Sequence, residues 1–596
     1  MRFLTNRLVR RKRREVRKFS LRNQRLGCFL FKNEIGKHLL SPVAVFRGWI
    51  VFTRLVALVA FLCLLSLETP LLAATLTWDN TAGGAINDGA GAWKNAGLWN
   101  NGSPSITWSS GDSAIFGNGG TGGAVTLASP TTALSLTLNS FTGTYTLGTA
   151  GQTLTINTGI TMNSGAGAVS IISPVTLGAA QTWINNSSSL LSIGTGVITN
   201  SGSLLTIDGT GNTTISSVIG GSGGITKSGV GTLTLSGANT FTGQVTVQQG
   251  TLSMASINNA SANGSLGNSD MNLPVILGAS GQTGTMQYTA GAGSSDKSFT
   301  LANGGTGAFD ITTALTLSGV IDGSGNLTKT GAGALTLQNA TNNYGLGFAS
   351  QFTGVTTISN GSIILTVAQT SGTNNAFNGS LLGLQKSVYD TTGSSSSLDV
   401  VTALGAANGV LWLGGLQGSV ALGTAVNGYG LISYLNLSPQ AGISATYNGV
   451  IANGAANMIV DKLGTGTQIL TATNTYSGAT NIYAGTLSLS GASGTAQNSA
   501  FNVRGGTLLL DNSGGWADRL GNATAISLGS MILKSSDGAG SQTETVGATT
   551  FAVGGKVLII SGTVSGDQTT LALGAVSRST GAAIDFAGIN AIGGAA

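Results

Sequence analysis

Apolar and polar residues alternate in short runs along most of this chain, and glycine, asparagine or serine closes each run. Thr232-Leu-Thr-Leu-Ser236 and Gln244-Val-Thr-Val-Gln248 show the pattern. Alternation puts Leu233, Leu235, Val245 and Val247 on one face of an extended strand, with Thr, Ser or Gln on the other. Strands this short bury too little alone, so they must stack on copies of themselves.

Three such copies are present, at 218–254, 320–365 and 450–490. Lys227 and Lys329 stand at equivalent places, and Lys462 follows three extra residues. Gly231, Gly333 and Gly466 each lie four residues past the lysine. The triplets Phe241-Thr-Gly243, Phe352-Thr-Gly354 and Tyr476-Ser-Gly478 come next, and nine residues beyond each aromatic stands Gly250, Gly361 or Gly485. The second copy carries an insertion around Tyr344 to Gln351. Shared internal spacing of this kind predicts a stack of like coils. The lysines are expected outward on turns, where they would discourage lateral pairing between stacks.

Between Ser129 and Ser217, short strands recur about every ten residues with Gly, Asn or Ser in the turns. Asn and Thr there are expected to form internal ladders from coil to coil. Ile257 to Asp310 and Thr366 to Ala441 are less periodic and are expected to hold loops or irregular rungs. Helix signals are missing, since Glu544 is the only Glu after the leader and glycine interrupts nearly every window. Positive mean hydropathy speaks against disorder. The fold class expected from the residues is all-β, a stack of like coils preceded by a leader.

Charge changes the picture only at the start. Residues 1 to 54 hold 15 Lys and Arg against Glu15 and Glu34, whereas from Thr75 onward 11 basic residues face 17 acidic ones. The basic surplus belongs to the leader, which removes the case for nucleic acid despite Arg10-Arg-Lys-Arg-Arg14. Leu55 to Leu67 is uncharged, follows Arg47 and Arg54, and precedes Pro70-Leu-Leu-Ala-Ala74. Residues 1–74 therefore read as an extended signal peptide with cleavage after Ala74. A membrane anchor over Trp49 to Leu67 is the competing reading, with Arg54 interrupting it. A start further downstream, at a codon such as that of Val51, would shorten the leader. Export implies Sec-type machinery.

Cys28, Cys63 and His38 all lie in the leader. The exported part thus excludes disulfides, thiolate metal sites and imidazole catalysis. No cofactor and no metal is expected, since neither a GGxGxD calcium repeat nor a phosphate loop is present. A paired-carboxylate mechanism would need two acids within about 5 to 9.5 Å. Asp208, Asp310, Asp322 and Asp461 are the candidates, and no pair among them stands out. Residues 75–127 carry Trp78, Trp93, Trp99 and Trp108 and read as the cap that closes a stack. Trp93 and Trp108 stacking on glycans is the functional alternative.

The run from Gly229 to Leu252 resembles the autotransporter-associated beta strand repeat, or passenger-associated transport repeat. Lys329 to Ile363 and Lys462 to Leu487 resemble it more loosely. Gly111-Asp-Ser-Ala-Ile-Phe-Gly117 is similar to the opening of such exported proteins. Leu508 to Ser513, Trp516 to Leu520, Glu544-Thr-Val-Gly547 and Arg578 are similar to modules that follow the repeats, which marks a C-terminal module at 501–590 within a solenoid of 128–596. The resemblance implies a right-handed parallel β-helix (β-solenoid), an exported passenger with structural or adhesive duty at the cell surface or outer membrane, the repeat assisting export. The family has no one shared catalytic activity, and no enzymatic role is expected. Val503 to Ala596 lacks the alternating strands of a translocating barrel. The chain is then a fragment, works with a separate outer-membrane translocator, or is released. Surface glycans or other cells are the expected targets. A polysaccharide lyase or hydrolase on the same fold is the alternative.

Overall fold

The computed structural model describes residues 73–81, 85–102, 106–338, 352–365, 381–383, 386–392, 398–401, 409–514, 518–535, 540–560 and 568–588. The leader up to residue 72, the Tyr344 to Gln351 insertion and Trp516 lie outside them.

Strand follows strand into a parallel β-solenoid. Among the described residues, every strand pair except Thr75–Trp78 with Trp99–Asn100 is parallel. The strands Gln181–Asn185, Leu205–Asp208, Ile225–Lys227 and Val245–Val247 line one face, coil upon coil. Leu191–Ile193, Thr213–Ile215, Thr232–Leu235 and Gly250–Met254 line a second. Shorter strands such as Val175–Leu177, Ile198–Thr199 and Ile219–Gly220 complete a third. The helical elements wholly within the described residues are the single turns Leu422–Ala425 and Tyr429–Leu431.

Alternation becomes columns once the coils stack. On the first face Leu136, Ile160, Trp183 and Ile207 point inward one above the next, each at most 1 % exposed. Thr182, Thr206, Thr226 and Thr246 form the neighbouring outward column and are half-buried. Each fully buried aliphatic side chain contributes about 1.5 to 3 kcal/mol, and the backbone ladder satisfies the amides around it. Thr suits the outward position because its branched Cβ fits a pleated strand while its hydroxyl stays wet.

This threonine column runs from coil to coil on the outer side of the strands, not in the core. Asparagine does enter it, at corners where the backbone leaves amides to be satisfied: Asn185, Asn200 and Asn239 are fully buried. Of the loops or irregular rungs expected from Ile257 to Asp310, a loop is present between Met254 and Val275, whereas the rungs beyond it are regular. Val275–Leu277, Phe299–Leu301 and Thr306–Ile311 keep strict parallel register with the coils before them. Coil length conceals this: 20 residues separate Thr226 from Thr246, but 30 separate Thr246 from Ile276. Within Thr366 to Ala441, the described strands Val388–Asp390, Gly409–Leu413 and Ile432–Leu437 are likewise paired in parallel.

Candidate functional site

The repeated lysines are the most unusual feature of the interior. They do not point outward. Lys227 is 2 % exposed, and Lys329 and Lys462 are fully buried. Each takes an inward place in an apolar column: Lys227 between Ile207 and Val247, Lys329 between Phe309 and Ile358, Lys462 between Leu437 and Ile482.

Main-chain carbonyls receive all three ammonium groups. Lys227 Nζ donates to the oxygen of Gly229, two residues on, and to that of Gln249 on the next coil at 3.4 Å. Lys329 Nζ donates to Thr330, to Gly331 at 2.8 Å and to Asn360 on the next coil at 3.3 Å. Lys462 Nζ donates to Gly464 and, on the next coil, to Ala484 at 3.0 Å. The next-coil acceptor always precedes the repeat glycine, Gly250, Gly361 or Gly485. These glycines adopt φ of +72°, +70° and +61°, and a Cβ on any of them would strike carbonyl oxygens of the turn beneath. Glycine is required there on both counts.

Burial without a carboxylate partner pushes each lysine down to about 8 from its ordinary 10.5, with nearby Asp208 and Asp310 partly offsetting this for Lys227 and Lys329.

The aromatic triplet marks the next corner of the coil. Phe241 and Tyr476 are fully buried and Phe352 is 2 % exposed. Two residues before the first and third, an asparagine bridges three coils. Asn239 Oδ1 accepts from Ile219 N at 2.9 Å while its Nδ2 donates to Ser265 O at 3.1 Å. Asn474 repeats this with Ile451 N and Thr495 O, both at 3.0 Å.

The candidate acids are kept apart. Asp208 turns back on the Gly209 amide, Asp310 accepts from Gln287 Nε2 at 2.9 Å, Asp322 from Thr300 Oγ1 at 2.6 Å, and Asp461 from Asn481 Nδ2 at 2.7 Å. No two of them are neighbours in register. Among the described residues, no group of three or more His, Cys, Asp or Glu could hold a metal ion. Trp93 and Trp108 do not face solvent: they are 0 % and 7 % exposed, with ring centroids 5.2 Å apart, against Trp99 and Phe116. Sugar stacking on either ring is therefore closed off.

Two buried constellations escaped sequence reasoning. Asp88 accepts from the amides of Gly117, Asn118 and Gly120 at 2.7 to 3.0 Å and from Tyr145 Oη at 2.8 Å. It thereby pins the turn after Ser113–Phe116, and Tyr145 is held neutral by burial and by the carboxylate. The second is a clasp between Arg519 and Glu544, both fully buried. Glu544 accepts from the amides of Arg519 at 3.1 Å and Leu520 at 2.7 Å. The Arg519 guanidinium donates to the carbonyls of Gly491, Gly494 and Asp511 at 2.7 to 2.9 Å. Burial pushes Glu544 up to about 7, with the two amides and Arg519 opposing and Asp518 assisting.

Comparison with known proteins agrees with the repeat geometry. The passenger-associated-transport-repeat family matches at residues 225–254, 327–365 and 460–489, each span beginning on the strand that carries the buried lysine. The chain is 34 % identical over 345 residues to an adhesin autotransporter (BmaC) of Brucella suis biovar 1 (strain 1330). That alignment covers 56 % of this chain and 9 % of the relative, so the chain spans under a tenth of that protein's length. No solved structure gives a significant match.

Proposed function

We propose that this chain, built on three passenger-associated transport repeats, acts as the exported passenger part of an adhesive surface protein. The observation that carries the reading is the solenoid itself: the three matched spans are coils of a parallel stack. The likeness to an adhesin autotransporter supports the adhesive assignment. Sec-type machinery takes the chain across the inner membrane, and an outer-membrane translocator completes its passage. Display is at the cell surface or outer membrane, with surface glycans or other cells as targets. The dispersal of the carboxylates supports a binding role over a hydrolytic or lyase one.

The solenoid provides a ready physical account of export. Each coil bonds to the coil before it and to the coil after it, so the structure can grow one coil at a time as chain becomes available. Surface display and cell attachment test the reading together. In a strain expressing the full reading frame, the solenoid should be cleaved by protease added to intact cells, and deleting residues 128–588 should reduce attachment to host cells or glycan-coated surfaces. Protection from external protease, or attachment unchanged by the deletion, would overturn it.

A further inference from the structure

We propose that Lys227, Lys329 and Lys462 are register pins: each allows its coil to seat in one strand register on its neighbours and penalises the registers two residues away. The need for such a device follows from the strand pattern. A one-residue slip turns every apolar side chain outward and is self-correcting. A two-residue slip is not, because period-two strands such as Thr232–Leu235 and Gly250–Met254 present apolar residues inward in either alignment. Burial alone therefore separates the two registers weakly.

A lysine in the column separates them strongly. Its ammonium is tolerated in the core only where carbonyls converge on it, and an uncompensated buried charge is among the costliest errors a fold can contain. The convergence is built from two coils at once. One acceptor is two residues along the same turn (Gly229, Gly331 or Gly464), and the other precedes the left-handed glycine of the following coil. Shifting either coil by two residues withdraws the second acceptor and sets a side chain against the ammonium. At Gly361 the fit leaves no slack, since a Cβ there would lie 2.9 Å from Lys329 Nζ. Asp208 and Asp310, the acids that act on Lys227 and Lys329, stand one coil earlier and belong to the same register.

Cysteine pairs can test this cleanly, because Cys28 and Cys63 both lie in the leader. Thr234 and Ser253 are register partners on successive coils and are half-buried. Their Cα atoms lie about 4.8 Å apart, within disulfide reach, whereas Thr234 and Thr251 stand about 8 Å apart and cannot be bridged in the native register. The solenoid without its leader, carrying either T234C/S253C or T234C/T251C, is unfolded, refolded and oxidised with and without K227M. With Lys227 present, only the first pair should close. K227M should keep the sheet signature in circular dichroism yet raise the T234C/T251C disulfide by about tenfold, as expected when a buried charge no longer penalises the slipped alignment. No rise in the slipped disulfide overturns the proposal. So does loss of the sheet signature in K227M, because the lysine would then be needed to fold at all rather than to choose a register.

Discussion

The repeat coils and the C-terminal coils bury charge in opposite ways. In the repeats a lone cation rests on carbonyls, and coil length falls to 20 residues around Lys227. From Gly491 to Glu544 a cation and an anion share the interior, and Arg519 with Glu544 ties together segments up to 28 residues apart in the chain. The comparison teaches that a solenoid with few charges can still use them as internal fasteners. A single sign suffices where turns supply oxygens. Both signs are needed where amides and carbonyls must be satisfied together.

The largest expected effect separates the two devices. R519A should destabilise the solenoid by about 3 to 5 kcal/mol at pH 8, because it leaves the buried carbonyls of Gly491, Gly494 and Asp511 without their donor and removes the cation that offsets the Glu544 charge, while the two backbone amides still hold that carboxylate. Urea unfolding at pH 8 and pH 5 checks this, and the loss should shrink at pH 5. The sign follows from Glu544, which titrates near 7 folded against an ordinary 4.5. Between those values the folded state holds the extra proton, so this group's contribution to stability falls as pH rises from 4.5 to 7.

G485A should come next, at about 3 kcal/mol, since it combines a left-handed backbone with contact against carbonyl oxygens. G442A, also left-handed but facing open space, should cost only about 1 kcal/mol. Equal losses in the two would remove the distinction between a packed repeat turn and an ordinary one.

The smallest effect is expected from the lysines. The triple variant K227M/K329M/K462M should unfold within about 1 kcal/mol of wild type at pH 7, because a buried charge and an apolar chain of similar length often balance. Its pH profile should differ from that of the wild type. Lysines lowered to about 8 bind protons more weakly in the folded state, so wild-type stability should gain as pH rises from 8 to 10.5, and the variant should lack that gain. Thermal melts across this range measure it. The lysine and glutamate devices thus predict slopes of opposite sign in separate pH windows.

Much of the fold was legible because alternation and repetition are long-range signals that many residues share. The inward Leu233 and Leu235 and the stacked copies follow from spacing alone. The lysines were misplaced although the pattern located them: in Ile225-Thr-Lys227 and Leu327-Thr-Lys329 the lysine shares a face with an apolar residue two positions earlier. A general preference for solvated ammonium groups outweighed that alternation, and the carbonyl cradle that reverses it exists only once two coils meet. Arg519 and Glu544 lie 25 residues apart, close to one coil, so coil spacing was the available signal. The burial of Trp93 and Trp108 against Trp99 and Phe116 fits the reading of these tryptophans as packing residues rather than as sugar-stacking ones, although aromatic type alone does not say which side a loop presents.

One consequence concerns how such a chain changes length over generations. Leu205, Ile225 and Val245 succeed one another at the same place on three coils. Excising residues 225–244 would bring Leu205 against Val245 with hydrophobic faces still matched, and duplicating them would insert another such layer. Genes encoding this geometry can therefore gain or lose whole layers by unequal exchange without having to invent a new interface. The number of windings in the stack becomes a trait that selection can adjust one at a time.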